Sequence, residues 1–358
     1  MERGGHRRND DATHPNPSVG GPRIPCGTVP LSMGTEALKR ALAWHTRHNT
    51  LPLIDSKAHA TGAITACRSQ DTGRRPVFSS SCKSNPGQAL TRGSRIAAIG
   101  SLVGSLEELS RPADVKSDSL LAWRLRRTSL PMFQGRLGRQ LDKCFEHPGY
   151  QYLVFLRSLA AIGTIIAPER TKVRTLSITT LTLLLWAKSY RGWYGSDGSD
   201  QMSFIVFSSG ALAELMPRNE CNATLLSSFV AFQSLLSYFA SGVAKVVSPS
   251  WRDGSALKGI FRTQTYGDER FYRFLTAKEW RAAAMSRTVT AFEVLFPAVV
   301  LMPKTLRTIG LGIGAAFHIA NARFMGLNRF FWAFCGTYPS IISVAKAIRF
   351  SWKHRLLQ

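Results

Sequence analysis

The chain has 358 residues, 46 Lys+Arg against 22 Asp+Glu, a net charge of +24 and a mean hydropathy of −0.05, averages that suit a soluble nucleic-acid binder. Dividing it excludes that reading: residues 1–149 hold 22 basic against 12 acidic residues, while residues 150–358 hold 24 against 10 and also nearly all the long apolar runs. The six cysteines are scattered without a CxxC pair or close histidines, which excludes a small disulfide scaffold and gives zinc or thioredoxin readings no support.

Residues 1–95 are rich in Gly, Pro, Ser, Thr and Arg, as in Pro15-Asn16-Pro17 and Gly20-Gly21-Pro22. No apolar period persists there, so the segment is expected to be a largely disordered basic extension, with one short helix over 36–48 as an option. Its first 30 residues lack the apolar stretch of a signal peptide. Residues 96–149 are expected to form an amphipathic, interfacial helical segment. Ile96–Leu109 is short and interrupted by Glu107 and Glu108, and Leu120–Cys144 mixes Leu, Trp and Phe with five arginines.

Seven apolar segments follow, near 150–168, 173–189, 202–216, 223–247, 288–303, 306–322 and 330–348. Several fall short of the roughly 20 residues that span a bilayer comfortably, which packed or tilted bundles tolerate. The fold class is therefore all-α: a polytopic transmembrane helical bundle of six to seven helices over 150–348, closed by a basic tail at 349–358. The connection 248–287 carries eight Lys or Arg residues. By the positive-inside rule, that loop and the N-terminus share the cytoplasmic side, and an odd helix count puts the tail on the other. Trp251, like Trp193 and Trp280, sits where an interface anchor is expected. The basic surplus then rings the helices, and anionic lipid headgroups, not nucleic acid, are its natural partner.

Ionisable or strongly polar groups at membrane depth are costly and mark candidate sites. Here they are Arg157, Glu214, Lys245, Glu293, His318 and Asn321. His318 and Asn321, three residues apart, share one helix face. Arg157 and Glu293 can pair to fasten helices, Lys245 can snorkel to the interface, and His318 can serve as an interhelical hydrogen bonder. Glu214, near a helix end, reads as solvated. Gly310, Gly312 and Gly314 follow no strand, so they read as close helix packing, not as a dinucleotide loop. Asp200 or Ser199 is the expected N-cap of the third segment.

Two stretches resemble a known family. Tyr238-Phe239-Ala240-Ser241-Gly242-Val243-Ala244-Lys245 with Trp251-Arg252-Asp253-Gly254, and Phe317-His318-Ile319-Ala320-Asn321 with Phe324-Met325-Gly326-Leu327 and Phe330, look like the horizontally transferred transmembrane (HTTM) domain. That domain is the membrane part of the vitamin K-dependent gamma-carboxylase superfamily. Arg191–Gly195 through Gln201 is similar to bacterial members of the sporulation-delaying protein B type. The resemblance, over roughly 150–348, implies a helical bundle with a lipid-accessible cavity and a bacterial cytoplasmic-membrane protein. It implies Lys245 as a base acting on a quinone or hydroquinone, and His318 beside it in the catalytic cavity. Arg157, Glu293 and Asn321 would then be the cavity-lining or structural polar groups. A lysine amine kept from water is serviceable as a base near neutral pH. No metal ligands are expected.

The carboxylase carries a large C-terminal soluble portion that handles its protein substrate, and this chain stops shortly after the seventh segment. True gamma-carboxylation is therefore not the expectation. The resemblance implies instead a role in maturation or export of a secreted, toxin-like antimicrobial peptide, with that peptide and an accessory protein as partners. The alternatives are a non-enzymatic membrane scaffold or immunity component, and a small-solute carrier.

Overall fold

In a computed structural model of the chain, residues 85–115, 119, 122–192 and 197–355 are described. The expected extension up to residue 84, with the optional helix over 36–48, lies outside the described residues, as does Trp193. Every regular element among the described residues is helical.

Helix α1 spans Pro86–Ser110, and α2 (Trp123–Thr128) and α3 (Arg136–Phe145) are short. Then come α4 (Gly149–Ile166), α5 (Lys172–Arg191), α6 (Gly198–Leu215) and the 28-residue α7 (Glu220–Val247). Three short helices follow, α8 (Pro249–Arg252), α9 (Ser255–Phe261) and α10 (Glu269–Thr276). Helix α11 (Glu279–Leu295) runs on into a 3-10 turn, Phe296–Val300, and α12 spans Lys304–Met325. The last column is split into α13 (Asn328–Cys335) and α14 (Tyr338–Arg355). All seven expected segments are present as helices, the seventh broken at Gly336–Thr337.

Helix α1 corrects the reading of residues 86–110. Residues 86–95, expected in the extension, are its first turns. Residues 96–110, expected at the interface, lie inside the bundle against α4, α6, α7, α13 and α14. From Gly93 on its buried face is small: Gly93, Ser94, Ala97, Ala98, Gly100, Gly104 and Ser105, with Leu90 the large buried side chain of its first turns. Small residues let backbones approach closely, and Gly93 lies against the carbonyl of Gly336. At 1.5 Å per residue, α1 is about 37 Å long, enough to cross a hydrocarbon core.

This added column changes the topology. Asn85, at the start of α1, lies with Glu169, Arg170 and Arg218 around one polar pocket, at the end where α4 finishes and α7 begins. The 248–278 connection is at the far end of α7. The start of α1 and the 248–287 loop are therefore at opposite ends of the bundle, not on one side.

Among the described residues, three helices are long and apolar enough to cross a membrane by length and composition: Gly149–Ile166, Glu220–Val247 and Glu279–Val300. The outward faces explain why lipid is their solvent. On α7, Leu225, Phe229, Phe232, Leu236, Phe239, Val243 and Val246 alternate at spacings of four and three and are all exposed. In water each would forgo roughly 1.5–3 kcal/mol of burial. The inward face of the same helix carries Ser227, Ala231, Ser234, Tyr238 and Gly242, small or polar apart from Val230 and the tyrosine ring. A bundle apolar outside and hydroxylated inside is packed for a bilayer. The protein is an integral membrane protein.

Candidate functional site

Tyr238, Ser241 and Lys245 occur at i, i+3 and i+7 of α7, so they form one inward stripe two turns long. Lys245 Nζ donates to Ser241 Oγ at 2.6 Å and to Glu293 Oε2 of α11 at 2.7 Å, and Ser241 Oγ donates to Glu293 Oε1 at 3.3 Å. The Trp251 ring lies 4.8 Å from the Lys245 ammonium, within cation–π reach. Lys245 and Glu293 are both largely screened from solvent, with side chains 13% and 6% exposed. Close helix approach makes this pairing possible: Gly242 sits against the backbone of Glu293 and Val294.

Farther along the stripe, Tyr238 OH is 2.7 Å from His318 Nε2 of α12 and 3.2 Å from Tyr338 OH of α14. The His318 ring stacks on Phe334 of α13, centroids 4.6 Å apart. Its other nitrogen, Nδ1, is buried and has no partner among the described residues. An unpaired buried imidazole nitrogen costs about 1–3 kcal/mol unless something else occupies it.

Both groups border one cavity of about 600 Å³. Ser241, Lys245, Glu293, His318 and Asn321 supply its polar wall, and rings of Trp251, Phe261, Phe271, Phe317, Phe324 and Phe330 supply much of the rest. A mostly apolar cavity of this size with a few convergent polar groups is the usual form of a small-molecule site. Helices α8 to α10 build its end wall, where Phe271 stacks on Phe324 at 4.5 Å. The wall turns at Gly254, which has φ +83°, and an added Cβ there would strike the Ala282–Ala283 backbone. The neighbouring Asp253 carboxylate accepts the Ser255 N–H at 2.8 Å, which holds its pKa below the usual carboxylate range. Ser286 of α11 donates its hydroxyl to the Trp251 carbonyl, so Trp251 is a cavity wall tied to α11 and not only an interface anchor.

The structure thus brings together Lys245, His318, Glu293, Asn321 and Trp251 and leaves Arg157 and Glu214 elsewhere. Arg157 does not pair with Glu293. Its Nη2 is 3.0 Å from Glu108 Oε1 and its Nε donates to Ser105, both on α1. From there a ladder continues: Lys188 bridges Glu108 (2.9 Å) and Asp200 (3.1 Å), and Arg329 bridges Asp200 (3.2 Å) and Asp197 (3.3 Å). Glu214 is not solvated. Arg174 Nε donates to it at 2.9 Å, and the two side chains are 1% and 6% exposed. Asp197, not Ser199 or Asp200, caps α6, accepting the N–H of both. Gly310 packs on Val299, and Gly314 on Phe296 and Tyr338, as expected for close helix contact, whereas Gly312 meets no such neighbour among the described residues.

Sequence reasoning passed over Tyr238 and Tyr338 as site residues. Tyr238 had a signal, since it lies seven residues before Lys245 on the same face. Tyr338 had none, because its contact depends on how α14 packs.

Residues 206–344, from within α6 to within α14, match the family model of the HTTM domain. The cavity residues named above all fall inside that stretch. No curated protein and no solved structure matches the chain.

Proposed function

From the premise that residues 206–344 are an HTTM domain, we propose that the protein binds a ring-bearing amphiphile of the quinone or hydroquinone class in the 600 Å³ cavity. In this reading it uses Lys245 as an intramembrane base in the maturation or export of a secreted peptide, in a bacterial cytoplasmic membrane. The observation that carries the reading is the pairing of Lys245 with Glu293 and Ser241 at the wall of an aromatic cavity that His318 also lines. The residues fit such a ligand: stacked rings suit a flat ring, and the polar side chains of Ser241 and Asn321 on the cavity wall offer hydrogen-bond positions for ring oxygens.

When bound, a hydroquinone would supply an ionisable ring hydroxyl. Lys245 Nζ is the atom that takes up that proton. In the ion pair the amine is already protonated, so Glu293 Oε2, 2.7 Å away, has first to accept the ammonium proton. Exclusion of water favours that transfer, because a neutral amine–acid pair costs less to bury than two charges. Ser241 holds the amine in place throughout, and Trp251 closes one side. Lys245→Ala at unchanged membrane abundance is expected to abolish maturation of a co-expressed secreted peptide, followed by mass spectrometry. Unchanged maturation refutes the base role.

A second reading, a non-enzymatic scaffold, draws on the same pair, since Lys245–Glu293 also fastens α7 to α11. It requires that Lys245→Met with Glu293→Leu keep full function, whereas the base reading requires that this variant lose it.

A further inference from the structure

Helices α11 and α12 are consecutive, yet they make no extended contact along their lengths. They join through the 3-10 turn Phe296–Val300, on which both pack. Just before that turn Phe292 of α11 meets Phe317 of α12, ring centroids 5.4 Å apart. Away from this pair the cavity lies between them, walled by Met285, Thr288 and Val289 of α11 and by Ala320, Asn321 and Phe324 of α12. Phe271 of α10, stacked on Phe324, closes the far end, and α7 with Ser241 and Lys245 forms the back.

Thr288 and Ala320, one from each helix, line the cavity and are also exposed, which puts the mouth of the cavity between them. The Thr288 hydroxyl donates to the Ala284 carbonyl at 2.9 Å, so its polar atom is used within α11 and the rim is apolar. The Lys245–Glu293 pair sits deeper and is largely screened. On the flanks of the mouth, Leu295 of α11 and Ile309, Ile313 and Ile319 of α12 are each more than half exposed. In an integral membrane protein such flanks face acyl chains, so the mouth opens to hydrocarbon and not to water. From it a shallow track runs toward the turn. Gly312, Ala316 and Ala320 repeat at four-residue intervals on one exposed line of α12, bounded by Ile313 and Ile319. At Gly312 nothing stands within 4 Å of the place a Cβ would take. The track is continuous with a cavity whose charged groups lie only at its inner end.

We propose that the cavity opens sideways into the bilayer between Thr288 and Ala320, and that its ligand is an amphiphile with one long alkyl or isoprenoid chain. The ring lies inside beside Lys245, and the chain leaves through the mouth along Ala316 and Gly312. This inference rests on the ring-binding reading of the cavity and adds the chain, its exit and a route from lipid to site. A chain lying on a lipid-facing groove stays in hydrocarbon throughout, so binding exposes none of it to water.

The test titrates two naphthoquinols that share a ring, one bearing a methyl group and one a chain of several isoprene units, against the full chain in nanodiscs. Ala320→Leu narrows the mouth, and Ala316→Leu fills the track one turn away, outside the cavity wall. Both positions are exposed, so neither substitution crowds the bundle. Ala320→Leu is expected to weaken the long-chain probe about tenfold and Ala316→Leu about threefold, with the methyl probe changed less than about twofold by either. Equal loss of both probes in Ala320→Leu overturns the opening and leaves the ring site standing. So does long-chain binding indifferent to both substitutions while the methyl probe binds. Binding of neither probe to the wild type refutes the ring site, and the chain site with it.

Discussion

Two polar regions inside the bundle differ in what borders them. In the ladder of Arg157, Glu108, Lys188, Asp200 and Arg329 each charge meets its opposite, as it does in the Arg174–Glu214 pair, which borders the polar pocket of about 280 Å³ at the end of the bundle. Beside Arg157 and Lys188 each free space is about 10 Å³, room for about one water molecule. The Lys245–Glu293 pair instead borders about 600 Å³ that His318 also lines. The expense of an intramembrane charge therefore does not by itself mark function. Charges packed on all sides hold helices together, and in the function proposed above the Lys245–Glu293 pair, beside a large aromatic cavity, meets a ligand.

That contrast can be broken or sharpened by substitution. The largest effect on stability is expected for Glu214→Ala, which strands Arg174 in the interior at a cost of about 3–5 kcal/mol. Thermal melts in detergent should show little folded protein. Lys245→Met should cost only about 1–2 kcal/mol, because Glu293 can take a proton and the cavity gives it room to relax. Function should respond the other way, with the initial rate of peptide maturation falling roughly 10²–10⁴-fold, the usual share of a general base. His318→Phe keeps the stack on Phe334 and removes one hydrogen bond, so ligand affinity should fall by about tenfold, a change of ~1.4 kcal/mol, with little change in melting. Smallest is Phe232→Ala on the lipid face of α7. Acyl chains replace the lost contacts, and unfolding in bicelles should shift by less than about 0.5 kcal/mol.

The bundle was legible in the sequence because lipid forces each crossing into a long apolar helix, and the seven runs over 150–348 carry that signal. Helix α1 was not, because a column surrounded by protein needs small residues more than apolar ones. Its Gly93 read as part of the disordered extension, and Gly100, Gly104 and Ser105 as an interfacial piece. With α1 uncounted, Arg157 was expected to pair with Glu293, whereas its partner is Glu108. The start of α1 also fell on the wrong side of the bundle. Glu214 looked solvated because Arg174 is 40 residues away in the chain. Lys245, His318 and Asn321 were legible through the motif spacing, while their convergence with Glu293, Trp251 and Tyr338 is a product of packing.

The most direct measurement is equilibrium binding of a short-chain naphthoquinol to the purified full chain in detergent. The account predicts that Lys245→Met and His318→Phe each weaken binding about tenfold or more, while a folded ladder variant such as Arg157→Lys binds like the wild type. Equal binding by the Lys245→Met/His318→Phe double variant, or weakening only in the ladder variant, would contradict the assignment of the ligand to this cavity.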